Sequence, residues 1–144
     1  RVDKMIYAAL EATLETFRKD TVLEEIPVLK MLTMTKKEIK QRTWNFAQRL
    51  KESLGESKVL HFEITDGNSV IGGGSAPAIQ PETCILAIKH ENLSTSRFEQ
   101  ALRLSQPSIV TRIIDDKILF DLRTISEGEE NEILEILTNI SLQN

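Results

Sequence analysis

Three consecutive glycines, Gly72-Gly73-Gly74, stand between two stretches that read as β-strands. Glycine loses more freedom on folding than any other residue and has no side chain to pack. A chain accepts three in a row where backbone must pass close to other backbone or a ligand, or where φ must be positive. Strand patterns on both sides predict that the run sits inside a small sheet. The upstream pattern alternates from Val59 to Thr65, with Leu60, Phe62 and Ile64 on one face and His61, Glu63 and Thr65 on the other. Asp66-Gly67-Asn68 then reads as a turn. The downstream strand, Thr83 to Lys89, is almost continuously apolar, which predicts a central position.

A second constraint is the pair Ile109–Ile114 and Lys117–Arg123, a hairpin turning at Asp115-Asp116. That turn pairs Ile114 with Lys117. It places Ile109, Thr111, Ile113, Ile118, Phe120 and Leu122 on a core face, which a one-residue slip would expose. Arg112, Asp121 and Arg123 fall on the opposite face. Diagonal Arg–Asp pairing accounts for them simply, and an anionic ligand is the alternative.

Helical patterns surround these strands. One runs from about Asp3 to Arg18, and Pro27 opens a short second helix. Thr35-Lys36-Lys37-Glu38 is a capping box that starts a long amphipathic helix, and Gly55 ends it. Ile39, Thr43, Phe46, Leu50 and Leu54 form its inner face. Lys37, Lys40, Trp44, Gln48 and Lys51 lie opposite, and the simpler reading of them is a solvated surface, with RNA phosphate contact as the alternative. Ser96 in a box with Glu99, or Ser94 one turn earlier, caps a helix with Phe98, Ala101 and Leu102 inward. Gln106-Pro107 stops it. Ser126 caps a last helix with Ile133, Ile136 or Leu137, and Ile140 inward, and Ser141–Asn144 are expected to fray. Helices before and between hairpin-like strands predict a two-layer α+β sandwich over a mainly antiparallel sheet.

The 144 residues suit one domain able to bury a core. The first residue is Arg1 and not Met, which fits a fragment of a longer protein or a processed start. No signal peptide or membrane span is legible. A lone Cys84 in an apolar run fits an inert buried thiol in a reducing compartment. Residues 1–58 hold twelve Lys and Arg against nine Asp and Glu, whereas residues 59–144 hold six against thirteen. Such a chain is a poor stand-alone nucleic-acid binder, although it can form one wall of a site.

Most catalytic motifs are excluded. Gly74 is followed by Ser75-Ala76, where a phosphate-binding loop needs Lys then Ser or Thr, and Pro77 occupies the third glycine position of a dinucleotide fingerprint. His61 and His90 have no His or Cys partner at ligand spacing, so no metal site is expected. There is no nucleophile elbow.

Four motifs in order carry a family resemblance. They are Arg1-Val2-Asp3-Lys4-Met5 with Ala9–Leu14, Ile26–Thr33, Gly72-Gly73-Gly74-Ser75-Ala76-Pro77, and Arg112-Ile113 with Leu119–Thr124. Together they resemble the C-terminal part of bacterial L-seryl-tRNA(Sec) selenium transferases. The family usually has Leu where Ala76 stands. The resemblance covers essentially the whole chain. It implies the small domain of a fold-type-I pyridoxal-phosphate enzyme over residues 1–144, with 1–57 a helical lead-in and 58–144 the sheet and its helices.

The resemblance further implies conversion of seryl-tRNA(Sec) to selenocysteyl-tRNA(Sec), with selenophosphate as donor and a dehydroalanyl intermediate. Cytoplasmic homo-oligomers are implied, with no membrane partner. The Schiff-base lysine would lie upstream, so this segment alone is expected to be inactive. Arg1 would hold an anionic group such as selenophosphate. Gly72, Gly73, Gly74 and Ser75 would let backbone approach the cofactor domain closely. Two other functions compete: a related pyridoxal-phosphate ammonia-lyase acting on an amino sugar acid, and a non-catalytic oligomerisation module.

Overall fold

A computed structural model describes residues 1–72 and 79–142 of the chain. It divides into two compact units, Arg1–Met34 and Thr35–Asn144.

The first unit is helical. α1 spans Lys4–Arg18, and the Asp3 carboxylate caps it by accepting from the Ile6 N–H at 3.0 Å. α2 spans Val22–Glu25, and α3 spans Pro27–Thr33 with proline at its first turn, where no N–H is missed. Thr16 is the only buried residue here, and Met5, Ile6, Tyr7, Leu10, Leu14 and Phe17 are all exposed.

The second unit is the α+β sandwich. α4, Lys36–Leu54, begins at a complete capping box: the Glu38 N–H donates to Thr35 Oγ1, and the Thr35 N–H donates to Glu38. It ends at Gly55, whose φ of 57° would strain a residue with a Cβ. The strands are β1 Leu60–Asn68, β2 Glu82–His90, β3 Arg112–Ile114 and β4 Lys117–Asp121, in the antiparallel order β1-β2-β4-β3. α5, Thr95–Arg103, and α6, Glu130–Leu142, complete the helical layer. Phe46 and Leu50 of α4, Phe98 and Leu102 of α5, and Ile133 and Leu137 of α6 meet Leu86, Ile88, Ile118 and Phe120 of the sheet in one core. Ser94 caps α5, so the earlier of the two expected caps is the one used. Asp115 and Asp116 both have positive φ, 50° and 59°, and Ile114 pairs with Lys117 as the hairpin pattern requires.

Several expectations need correction. Asp66-Gly67-Asn68 is no turn: β1 continues through it, pairing with Cys84, Thr83 and Glu82. A Cβ at Gly67 would lie 2.6 Å from Ile85 Cδ1 on the neighbouring strand, so the tip of Ile85 would have to shift to admit one. The hairpin is shorter than its apolar pattern. Residues 109–111 lie outside β3, and Leu122–Thr124 turn into a 3-10 helix. Ile113, at the sheet edge, is exposed, while Ile109, Ile118, Phe120 and Leu122 are buried. The last helix starts at Glu130, not directly after Ser126. A preceding turn is closed by the Ser126 N–H donating to the Glu129 carboxylate at 2.8 Å, which lowers that carboxyl's pKa. Gly72 lies outside any strand, is exposed, and has nothing within 4 Å of where a Cβ would be. Gly73, Gly74 and Ser75 lie outside the described residues.

Candidate functional site: the base of the glycine-rich connection

β1 and β2 are adjacent antiparallel strands, yet residues 69–81 join them, where two to five residues suffice for a hairpin. Long connections of this kind are commonly functional. Both ends of this one are fastened. The Ser69 N–H donates to the Pro81 carbonyl at 2.9 Å, and Asn68 Nδ2 donates to the Gln80 carbonyl at 3.0 Å.

Beneath lies a buried polar cluster. β4 ends at Asp121, whose carboxylate caps the 3-10 turn by accepting from the Arg123 N–H at 3.1 Å. The same carboxylate accepts from Ser69 Oγ at 2.5 Å and Thr83 Oγ1 at 2.9 Å. Arg123 Nε donates to Ser69 Oγ at 3.0 Å, and its Nη2 donates to the Glu82 carbonyl at 2.8 Å. Ser69, Thr83, Asp121 and Arg123 are all at most 9% exposed. Burying such groups is tolerable only because their hydrogen bonds are made. The expected diagonal Arg–Asp pair across a strand face is therefore replaced by a contact through Ser69, because Arg123 sits in the turn after the strand. Arg112 lies across from Leu119. Thr83 and Ser69 were not singled out in the sequence; the available signal was a hydroxyl residue bordering each end of the connection.

Beside the cluster is a groove of about 400 Å³, lined by Ser69, Ile109, Arg112, Asp121, Ile125 and Glu132 among others. Among the described residues, its lining holds no Lys, His or Cys and offers no nucleophile–base pair. The Ser69 hydroxyl is already committed to Asp121.

Other candidate groups are structural. Cys84 is buried, and burial raises its thiol pKa, which keeps it protonated and unreactive. His61 is exposed and lies 2.8 Å from Glu91. His90 is buried. Its Nδ1 accepts the Asn92 and Leu93 N–H groups at 3.1 Å, its ring packs on Phe98, and its Nε2 lies toward the Ile140 carbonyl without a well-formed bond. Burial lowers its pKa. Among the described residues, no three His, Cys, Asp or Glu side chains converge on a metal-sized site, and no helix is long and apolar enough to cross a membrane. Arg1 is exposed and takes part in none of the described ion pairs.

A sheet backed by three helices, with a long glycine-bearing connection tied to the final strand, defines an α+β domain of two layers. The sequence matches the SelA family, L-seryl-tRNA selenium transferase, over residues 1–126, and the chain belongs to that family. It is 34% identical over 140 residues to the L-seryl-tRNA(Sec) selenium transferase of Aquifex aeolicus, covering 97% of this chain and 30% of that protein. The protein of the same name from Alkaliphilus metalliredigens is 38% identical over 142 residues, 98% of this chain and 30% of the relative. One from Clostridium botulinum is 35% identical over 137 residues, 94% and 29%. The chain thus spans about 30% of the length of the curated relatives it matches.

Proposed function

We propose that the chain is the C-terminal small domain of an enzyme that converts seryl-tRNA(Sec) to selenocysteyl-tRNA(Sec) with selenophosphate as donor. We take residues 1–57 as its helical lead-in, the last helix of which, α4, packs into the second unit, and residues 58–144 as its sheet and remaining helices. The observation that carries this reading is the family match over residues 1–126, which includes the connection, its clamp and most of the helical layer.

Pyridoxal phosphate is the cofactor we assign to the enzyme, as an electron sink for loss of the seryl hydroxyl. The lysines of this chain do not fit its attachment. None is buried. Lys36 and Lys117, less exposed than the others, are paired with Asp66 and Glu63, which raise their pKa. A Schiff-base lysine needs the opposite shift. We therefore place the attachment lysine in polypeptide other than these 144 residues, and take the segment alone to be inactive.

Arg1 is our candidate for binding the anionic donor, since a guanidinium matches phosphate oxygens two at a time. Gly72, Gly73, Gly74 and Ser75 are our candidates for contact with the cofactor-bearing domain, with the Asp121 cluster as their footing. The enzyme is taken to be a cytoplasmic homo-oligomer.

The test is to assay the full-length parent protein with seryl-tRNA(Sec) and selenophosphate. Selenium-dependent formation of selenocysteyl-tRNA(Sec) is expected, with no product from residues 1–144 alone. No product from the parent protein, or a covalent cofactor adduct on the isolated segment, overturns the reading.

A further inference from the structure

The outer face of α4 carries one stripe, Lys37, Lys40, Gln41, Trp44, Gln48 and Lys51, within about 100° of helix surface and over roughly 21 Å of length. Lys37, Lys40 and Lys51 are exposed, and none belongs to a described ion pair, whereas Lys36, Arg42 and Arg49 on the same helix are each paired with a carboxylate. Trp44 stands between them, 52% exposed. Lys37, Lys40, Gln41 and Trp44 line one shallow hollow. No carboxylate lies within the stripe. Glu38 is tied back to the Thr35 cap, and Glu52 borders the stripe on one side.

We propose that this face of α4 is a tRNA-contact surface: the three lysines meet backbone phosphates and Trp44 offers its ring to an unstacked base or a ribose. The proposal deepens the tRNA-dependent function proposed above and rests on it. Three observations favour RNA. The lysines belong to no described ion pair, so they can replace counterions on a phosphate backbone. A half-exposed Trp flanked by cations is the arrangement by which proteins hold single-stranded nucleotides. α4 carries six Lys and Arg against two Glu, whereas residues 59–144 carry six against thirteen Asp and Glu, a net −7, so a polyanion is attracted to α4 over the segments that follow it.

The experiment uses the full-length parent enzyme and its tRNA. Binding is measured across a salt series for the unmutated protein, the triple variant Lys37→Gln/Lys40→Gln/Lys51→Gln, the corresponding triple Lys→Arg variant, and Trp44→Ala. With three phosphates released, the slope of log K against log salt is expected to fall by roughly two to three. Affinity near physiological salt should drop about tenfold or more, and the Arg variant should retain it. Trp44→Ala should weaken binding about tenfold at every salt concentration, with its slope unchanged. All are surface changes, so melting temperatures should stay close to that of the unmutated protein.

Slopes and affinities within twofold of the unmutated enzyme for both the Gln and Trp44 variants overturn the proposal. So does a change in sedimentation without a change in tRNA binding, which would assign the stripe to a second copy of the chain. Failure of the unmutated enzyme to act on seryl-tRNA(Sec) instead defeats the functional reading, and the two failures are thereby told apart.

Discussion

Among the described residues, two ionic clusters fasten the second unit, one partly exposed around Glu130 and one buried around Asp121, and they are built on different plans. Around Glu130, two arginines serve one carboxylate: Arg42 Nε donates at 2.8 Å and Arg49 Nη1 at 2.9 Å. Arg42 also donates to the Leu122 and Ile125 carbonyls, at 3.0 and 2.7 Å, tying α4 to the 3-10 turn and to α6. Around Asp121, one carboxylate serves Ser69, Thr83 and the Arg123 N–H. The first cluster is redundant and joins regular elements. The second has a single carboxylate at its centre and holds Ser69, where the connection begins. Losing one arginine of the first leaves the other on Glu130. Losing Asp121 removes the shared acceptor of three donors at once and, of the bonds described, leaves those of the Arg123 side chain to Ser69 and the Glu82 carbonyl.

That difference can be broken by measurement. Asp121→Ala strands the protons of two buried hydroxyls and a buried N–H, and should destabilise by about 3–5 kcal/mol in urea unfolding. Arg42→Ala leaves Glu130 with Arg49 and should cost about 2–3 kcal/mol. If the two losses prove equal, the contrast between the plans is wrong. Gly67→Ala probes the sheet beside the Asp121 cluster. Its Cβ would collide with the tip of the Ile85 side chain, for about 1–2 kcal/mol. Adding Ile85→Val should recover part of that loss, and no recovery would place the strain in the backbone instead.

The smallest effect is a pH dependence in neither cluster. Burial lowers the pKa of His90 below its ordinary 6.5, so the unfolded chain binds the proton more readily than the folded one. Its neutral-state contribution is complete above pH 6.5 and is lost as pH falls through the lowered folded-state pKa. Unfolding midpoints should therefore decline below pH 6.5, and His90→Gln should flatten that part of the profile. An unchanged slope would show that acidic groups elsewhere dominate it.

Much of this fold was legible because its signals are local. The Thr35–Glu38 box, the inner face of α4 and the Asp115-Asp116 turn depend on neighbours a few residues away. What escaped depends on distant partners. Asp66-Gly67-Asn68 has turn composition, and only Ile85, across the ladder, shows why a glycine belongs within a strand there. Arg123 keeps the strand pattern in sequence, but its N–H is captured by Asp121 and the backbone leaves the sheet. The connection was visible as glycines, while its footing at Ser69 and Thr83 was not, since single hydroxyl residues carry no periodicity. Arg1 was named through resemblance, and it stands exposed ahead of α1.

Ser69, Thr83, Asp121 and Arg123 come from three separated stretches of sequence and form one bonded set. The two hydroxyls and the Arg123 N–H meet the Asp121 carboxylate, and the Arg123 side chain meets Ser69 and the Glu82 carbonyl. Random drift at any one of the four is trapped, because each intermediate on the way to a new combination leaves a stranded dipole. Relatives should exchange these positions as a set, and a laboratory library aimed at reshaping the connection will be more productive if it varies all four together.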